Sequence, residues 1–126
     1  MTKAIKTALC VYLVVFSISI SGCGKKADET KSISAIKAEV GKMSAKELKS
    51  MAEKYKQAIT QKTKEIEKLT AKLKDIPIAK LMGDESKKLK ADIEKTGKSV
   101  SALTERFKIY YDKLKEKGGD ISGLEI

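Results

Sequence analysis

Residues 76–83 read Ile76-Pro77-Ile78-Ala79-Lys80-Leu81-Met82-Gly83, and this stretch decides the fold. Pro77 carries no amide hydrogen and cannot continue a helix. Gly83 closes the interruption. Reading backward from it, apolar side chains stand at Ile76, Leu73, Leu69, Ile66, Ile59, Tyr55, Ala52 and Leu48, with Lys62 filling the one gap. Reading forward, the series is Met82, Ser86, Leu89, Ile93, Thr96, Val100, Leu103, Phe107, Tyr110 and Leu114. The steps alternate four and three in both directions, and Lys, Glu, Gln and Thr fill most of the positions between. That is the seam of a heptad helix, written twice.

Residues 45–75 and 85–117 form helices of about 46 and 50 Å at about 1.5 Å per residue. Neither apolar stripe can remain wet, and the short connection makes the two antiparallel neighbours. The fold class is therefore all-α, an antiparallel helical hairpin of coiled-coil type. Folding about residue 79 or 80 sets Ile59 against Val100, Ile66 against Ile93 and Tyr55 against Leu103. Lys62 then meets Thr96-Gly97, where the facing helix is smallest, and its stem lies along the seam while its ammonium reaches for water. A slip of seven residues pairs the stripes equally well, so the connection sets the register.

Ser44-Ala45-Lys46-Glu47 has the form of a capping box at the start of the first long helix. Asp84 is the candidate cap of the second, and Gly118-Gly119 ends it. Upstream, Ile33, Ile36, Val40 and Met43 form a shorter pattern, broken from the next helix by Gly41 and Ser44. The hairpin widens its apolar surface at the matching end, where Tyr55, Phe107, Tyr110 and Tyr111 gather. Residues 31–43 are expected to fold back over that end as a short third helix; the rival is one unbroken helix from 31 to 75. If nothing covers the aromatics, they are an exposed patch for a partner.

The remainder of the chain is organised around a cysteine. Lys3 and Lys6 precede an apolar run at residues 8–20 (ALCVYLVVFSISI), followed by Ser21, Gly22 and Cys23. A basic start, a short apolar middle and small residues describe a secretory signal. At 13 residues the run is short for the roughly 20 needed to span a bilayer. Ile20-Ser21-Gly22-Cys23 resembles the lipobox of bacterial lipoproteins, a resemblance confined to the first 24 residues. It implies cleavage before Cys23 and acylation of its thiol and of the new amino terminus. One acyl chain holds a protein marginally, whereas two or more hold it firmly. Cys10 follows Leu9 and lacks the small neighbour. Gly24 stands where that family often has Asp for inner-membrane retention. The resemblance thus points to an outer membrane facing the periplasm where the organism has one, and otherwise to the outer face of the cytoplasmic membrane.

Four segments follow: a cleaved signal at 1–22, the lipidated Cys23 with a flexible tether to residue 32, the helical unit at 33–117, and a polar tail at 118–126. The tail (GGDISGLEI) reads as disordered, or as a short peptide that docks through Ile121, Leu124 and Ile126.

The net charge is +10, with 27 basic and 17 acidic residues. Loss of 1–22 would remove Lys3 and Lys6 and leave +8. A basic helical chain invites a nucleic-acid reading, but an exported one rarely meets a genome. Envelope polyanions and anionic lipids remain as partners, although the lysines are dispersed among acids rather than gathered in a block. Histidine is absent, Cys23 would be blocked, and no Cys/His cluster or glycine-rich phosphate loop offers a metal or cofactor site. The expectation is a non-enzymatic scaffold or adaptor with a protein partner in the envelope. A polyanion binder and a self-associating homo-oligomer are the alternatives.

Overall fold

The computed structural model describes residues 25–126. Three α-helices follow in order: α1 at Ile33–Val40, α2 at Ala45–Lys74 and α3 at Asp84–Glu116. α2 and α3 pack antiparallel along the hairpin, and α1 lies against α3. Residues 76–83 make the reversal through a single 3-10 turn at Ile78–Lys80.

The helix ends follow from local chemistry. Ser32 caps α1, its Oγ accepting from the Ala35 amide at 3.2 Å. At α2 the capping box is complete: the Ser44 hydroxyl accepts from the Glu47 amide, and the Glu47 carboxylate accepts from the Ser44 amide at 2.8 Å. That break at residues 41–44 excludes one continuous helix from 31 to 75. The cap of α3 differs from expectation. Gly83 occupies it without a side-chain bond, and Asp84 is the first helical residue. There its charge, with that of Glu85, complements the positive end of the helix.

α3 ends on a Schellman motif. Gly118 adopts φ +66°. The Gly118 amide donates to the Lys115 carbonyl at 3.0 Å, and the Gly119 amide to the Leu114 carbonyl at 2.9 Å. Only glycine takes the left-handed position cheaply. Gly119 answers to space instead: a Cβ there would lie 2.1 Å from Leu114 Cδ1 and 3.3 Å from Ala45 Cβ.

The buried core occupies only the end of the hairpin away from the reversal. Ile36 and Val40 enter it from α1, Leu48, Met51, Ala52, Tyr55 and Ile59 from α2, and Leu103, Phe107, Tyr110 and Leu114 from α3. The aromatics are core: Tyr55 stacks on Tyr110 with ring centroids 5.3 Å apart, and Phe107 meets Tyr111 at 5.7 Å. Tyr55 thus finds its ring partner one heptad beyond the Leu103 that simple folding at 79–80 sets against it. Toward the reversal, Ile66, Leu69, Leu73, Leu89 and Ile93 are only half-buried, and the fully buried seam positions there are Ser86 and Thr96. Two helices alone cannot enclose large seam residues; small ones disappear between the backbones. Lys62 turns outward, its ammonium donating to Glu65 at 3.0 Å.

Both flanking segments depart from the sequence reading. Residues 25–32, expected as a loose tether, are seated on the bundle. The Tyr55 hydroxyl donates to the Asp28 carbonyl at 3.1 Å and accepts from the Asp28 amide at 3.2 Å. The carboxy-terminal tail, expected to be disordered, docks as the peptide of the other reading. Leu124 is 1% exposed, the Lys56 ammonium donates to the Gly123 carbonyl at 2.8 Å, and Lys49 pairs with Asp120. One segment lies on each side of α2, and together with α1 they close the core. Among the described residues, the core draws on α1, α2, α3 and the tail, and residues 25–126 pack as one folded unit.

Candidate anchoring and docking surfaces

Cys23 and the lipobox-like residues Ile20, Ser21 and Gly22 lie outside the described residues. The chain enters the described structure at Lys25, and its position there is defined. Lys25 and Lys31 both ion-pair with Glu39 on the last turn of α1. Met43, Glu47, Ser50 and Met51 lie around the same corner, and Lys117 from the end of α3 donates to the Met43 carbonyl. This is the base of the hairpin. The reversal lies at the other end of α2, whose 30 residues rise about 45 Å.

From the base, residues 25–30 climb along α2, passing Tyr55 and then Ala58 and Lys62. They cross to α3 at residue 31, and α1 descends along α3. We call residues 25–32 the strap. Its crossing is pinned by Arg106, the one arginine among 27 basic residues. Arg106 Nε donates to the Lys31 carbonyl at 2.8 Å, and an Nη donates to the Ala102 carbonyl at 2.8 Å. The residue is 9% exposed. A guanidinium holds several donors in a fixed fork, so one side chain can serve two carbonyls on separate elements; an ammonium on a flexible stem does not hold that geometry. Sequence reasoning did not single out Arg106. The available signal was the single departure from lysine in an otherwise arginine-free chain.

Local bonds set the strap's shape. Asp28 Oδ1 accepts from the Thr30 amide at 2.8 Å and from its hydroxyl at 2.7 Å. These bonds hold the Asp28 carboxyl below its ordinary value, with a smaller contribution from Arg106. Hydrogen bonds from Lys25, then Lys31, hold the Glu39 carboxyl below the ordinary glutamate value of 4.5. The sign follows. A depressed folded value contributes stability that is present above the unfolded value and is lost as pH falls through the folded one. Strap protection, read by amide hydrogen exchange over residues 27–32, should therefore be level from neutral pH down to about 5 and should fall below about 4.5. Glu39→Gln should remove part of that acid-dependent loss, with the Asp28 carboxyl carrying the rest. An identical acid profile in the variant would show that other carboxylates govern the strap.

The Tyr110 hydroxyl is buried without a hydrogen-bond partner among the described residues, and burial pushes its titration upward. Its ring stacks on that of Tyr55, and the residue belongs to the core. No group of His, Cys, Asp or Glu among the described residues could hold a metal ion, and no described helix is long and apolar enough to cross a membrane.

The reversal has a different character. Ile78 and Met82 are 87% and 82% exposed, the most exposed large apolar residues among those described. Beside them a shallow cleft of about 630 Å³ runs between the helices, lined by Lys72, Lys80 and Lys88 together with Asp75, Glu85 and Asp92. Its charges balance, and it presents no dry pocket in which a carboxylate could act as acid or base.

These features define an all-helical hairpin, closed at its base and bare at its tip. No family model matches the chain, and no characterised protein or solved structure matches it.

Proposed function

We propose that this chain is a lipid-anchored protein of the bacterial cell envelope that works without catalysis, as a scaffold or adaptor. Acyl chains on Cys23 localise it. The hairpin sets its free end about 45 Å along α2 from the anchored base, and its partner is another envelope protein that meets the half-buried seam between base and tip. The observation that carries the reading is the fixed entry point at Lys25. It lies two residues after Cys23 and is paired to Glu39 at the base, with the tip about 45 Å away along α2. Acyl chains so close to the base hold the hairpin by one end on a short lead. A long floating tether would leave its direction undefined.

The test is chemical. Cells fed a labelled fatty acid should incorporate it into the wild-type protein, whose intact mass should show loss of residues 1–22 and gain of acyl groups. Cys23→Ser should carry no label and retain the signal. An unacylated wild-type protein, or one cut elsewhere, would refute the anchor. Crosslinking along α2 and α3 that captures no envelope protein would refute the adaptor role.

A further inference from the structure

We propose that the tip of the hairpin is a membrane-contact site for anionic bilayer surfaces, entered by Ile78 and Met82. The inference adds to the scaffold reading a definite occupant for its free end. Its test needs no lipid on Cys23, so failure of one does not entail failure of the other.

Three observations carry it. The first is the exposure of this pair, four residues apart in the reversal and extended by Pro77 and Ala79, both exposed as well. Elsewhere in the bundle, side chains of this size are buried or half-buried, apart from the terminal Ile126. The second is charge. Residues 72–92 hold Lys72, Lys74, Lys80, Lys87, Lys88 and Lys90 against Asp75, Asp84, Glu85 and Asp92, an excess of two positive charges. Two of those acids occupy the first turn of α3, where the helix end offsets them. Exposed apolar side chains rimmed by lysine are the pattern of interfacial membrane binding, in which apolar groups enter the acyl boundary and ammonium groups stay with anionic headgroups. The third is shape. The apolar pair stands on a convex turn, which suits a deformable surface; a protein would need a socket shaped for it.

The probe is a vesicle. Residues 25–126, which form a folded unit and contain no cysteine, are mixed with vesicles of phosphatidylcholine alone, or with roughly a quarter phosphatidylglycerol, and sedimented. Wild type should bind the anionic vesicles and leave the neutral ones nearly empty. Ile78→Ser/Met82→Ser should weaken binding about tenfold or more, with unchanged helicity and melting because both side chains are already in water. Ile78→Cys carrying an environment-sensitive dye should shift to the blue on anionic vesicles. Failure to bind them overturns the proposal. So does binding that survives the double substitution, which would assign the contact to lysine faces along the rod, and so does a dye that stays in water.

Discussion

Arg106→Ala should lower the melting temperature by about 10 °C and free the strap. The guanidinium is almost fully enclosed and serves the carbonyls of Lys31 and Ala102. A hydrogen bond to a charged group contributes about 1.5–3 kcal/mol, and truncation also takes the side-chain donor from the Lys31 carbonyl. With the stem's packing lost as well, a cost of about 2–3 kcal/mol follows, at roughly 4 °C per kcal/mol for a unit of this size. The loss should be uneven. Amide exchange should accelerate over the strap and α1, whereas α2 and α3 near the tip keep their protection, because the strap does not reach them. Arg106→Lys discriminates between charge and geometry. It keeps the charge but cannot hold both carbonyls, so it should recover less than half of the loss. A lysine variant that melts with the wild type would show that the fork is unimportant.

Leu124→Ala is the second large effect. Leu124 is 1% exposed although it stands two residues from the carboxy terminus. Truncating a buried leucine costs about 2–5 kcal/mol. The tail can settle partly into the space, so a value of about 2–3 kcal/mol is expected, again roughly 10 °C. Removing residues 120–126 should cost at least as much, since the Lys49–Asp120 pair and the bond from Lys56 to Gly123 go with it. Ile126→Ala, on a side chain that is largely exposed, is the control and should leave melting unchanged. Thermal melts followed by circular dichroism separate these cases. A tail deletion that melts like the intact chain would return residues 118–126 to the disordered reading.

The hairpin was legible because its information is repeated. The seams at Leu48–Ile76 and Met82–Leu114 state one instruction many times, and Pro77 and Gly83 mark where it stops. The capping box at Ser44 and the glycine pair at 118–119 were equally readable, because each acts on backbone within a few residues. The short α1 and its place over the aromatics followed from the widened apolar surface at that end. The cap of α3 was misread at Asp84: a carboxylate in the first turn serves the helix end as well as one at the cap, and the residue type does not distinguish the two positions.

The flanking segments show where such reading stops. Residues 25–32 are polar and have no stripe, which describes a spacer. They are held by single long-range bonds, from Tyr55 to Asp28 and from Arg106 to Lys31, and neither partner is marked by spacing. Leu124 is likewise one apolar residue in a polar tail, and periodicity cannot weigh a single residue. The lipobox-like stretch at residues 20–23 needed no fold to be noticed, since the resemblance rests on four consecutive residues.

The sequence by itself determined that two long helices must pair antiparallel and that Cys23 stands at a lipobox-like junction, and it favoured a shorter helix over their aromatic end. Periodicity and turn chemistry are local, and the burial of apolar surface follows from them almost regardless of detail. Only the tertiary structure decided that both flanking segments clasp the base, that the sole arginine locks one of them, and that Ile78 and Met82 are left bare at the far end. Those outcomes depend on which backbone carbonyl comes within 3 Å of which donor, and on which side of α2 remains open. Such distances exist only once the chain has folded.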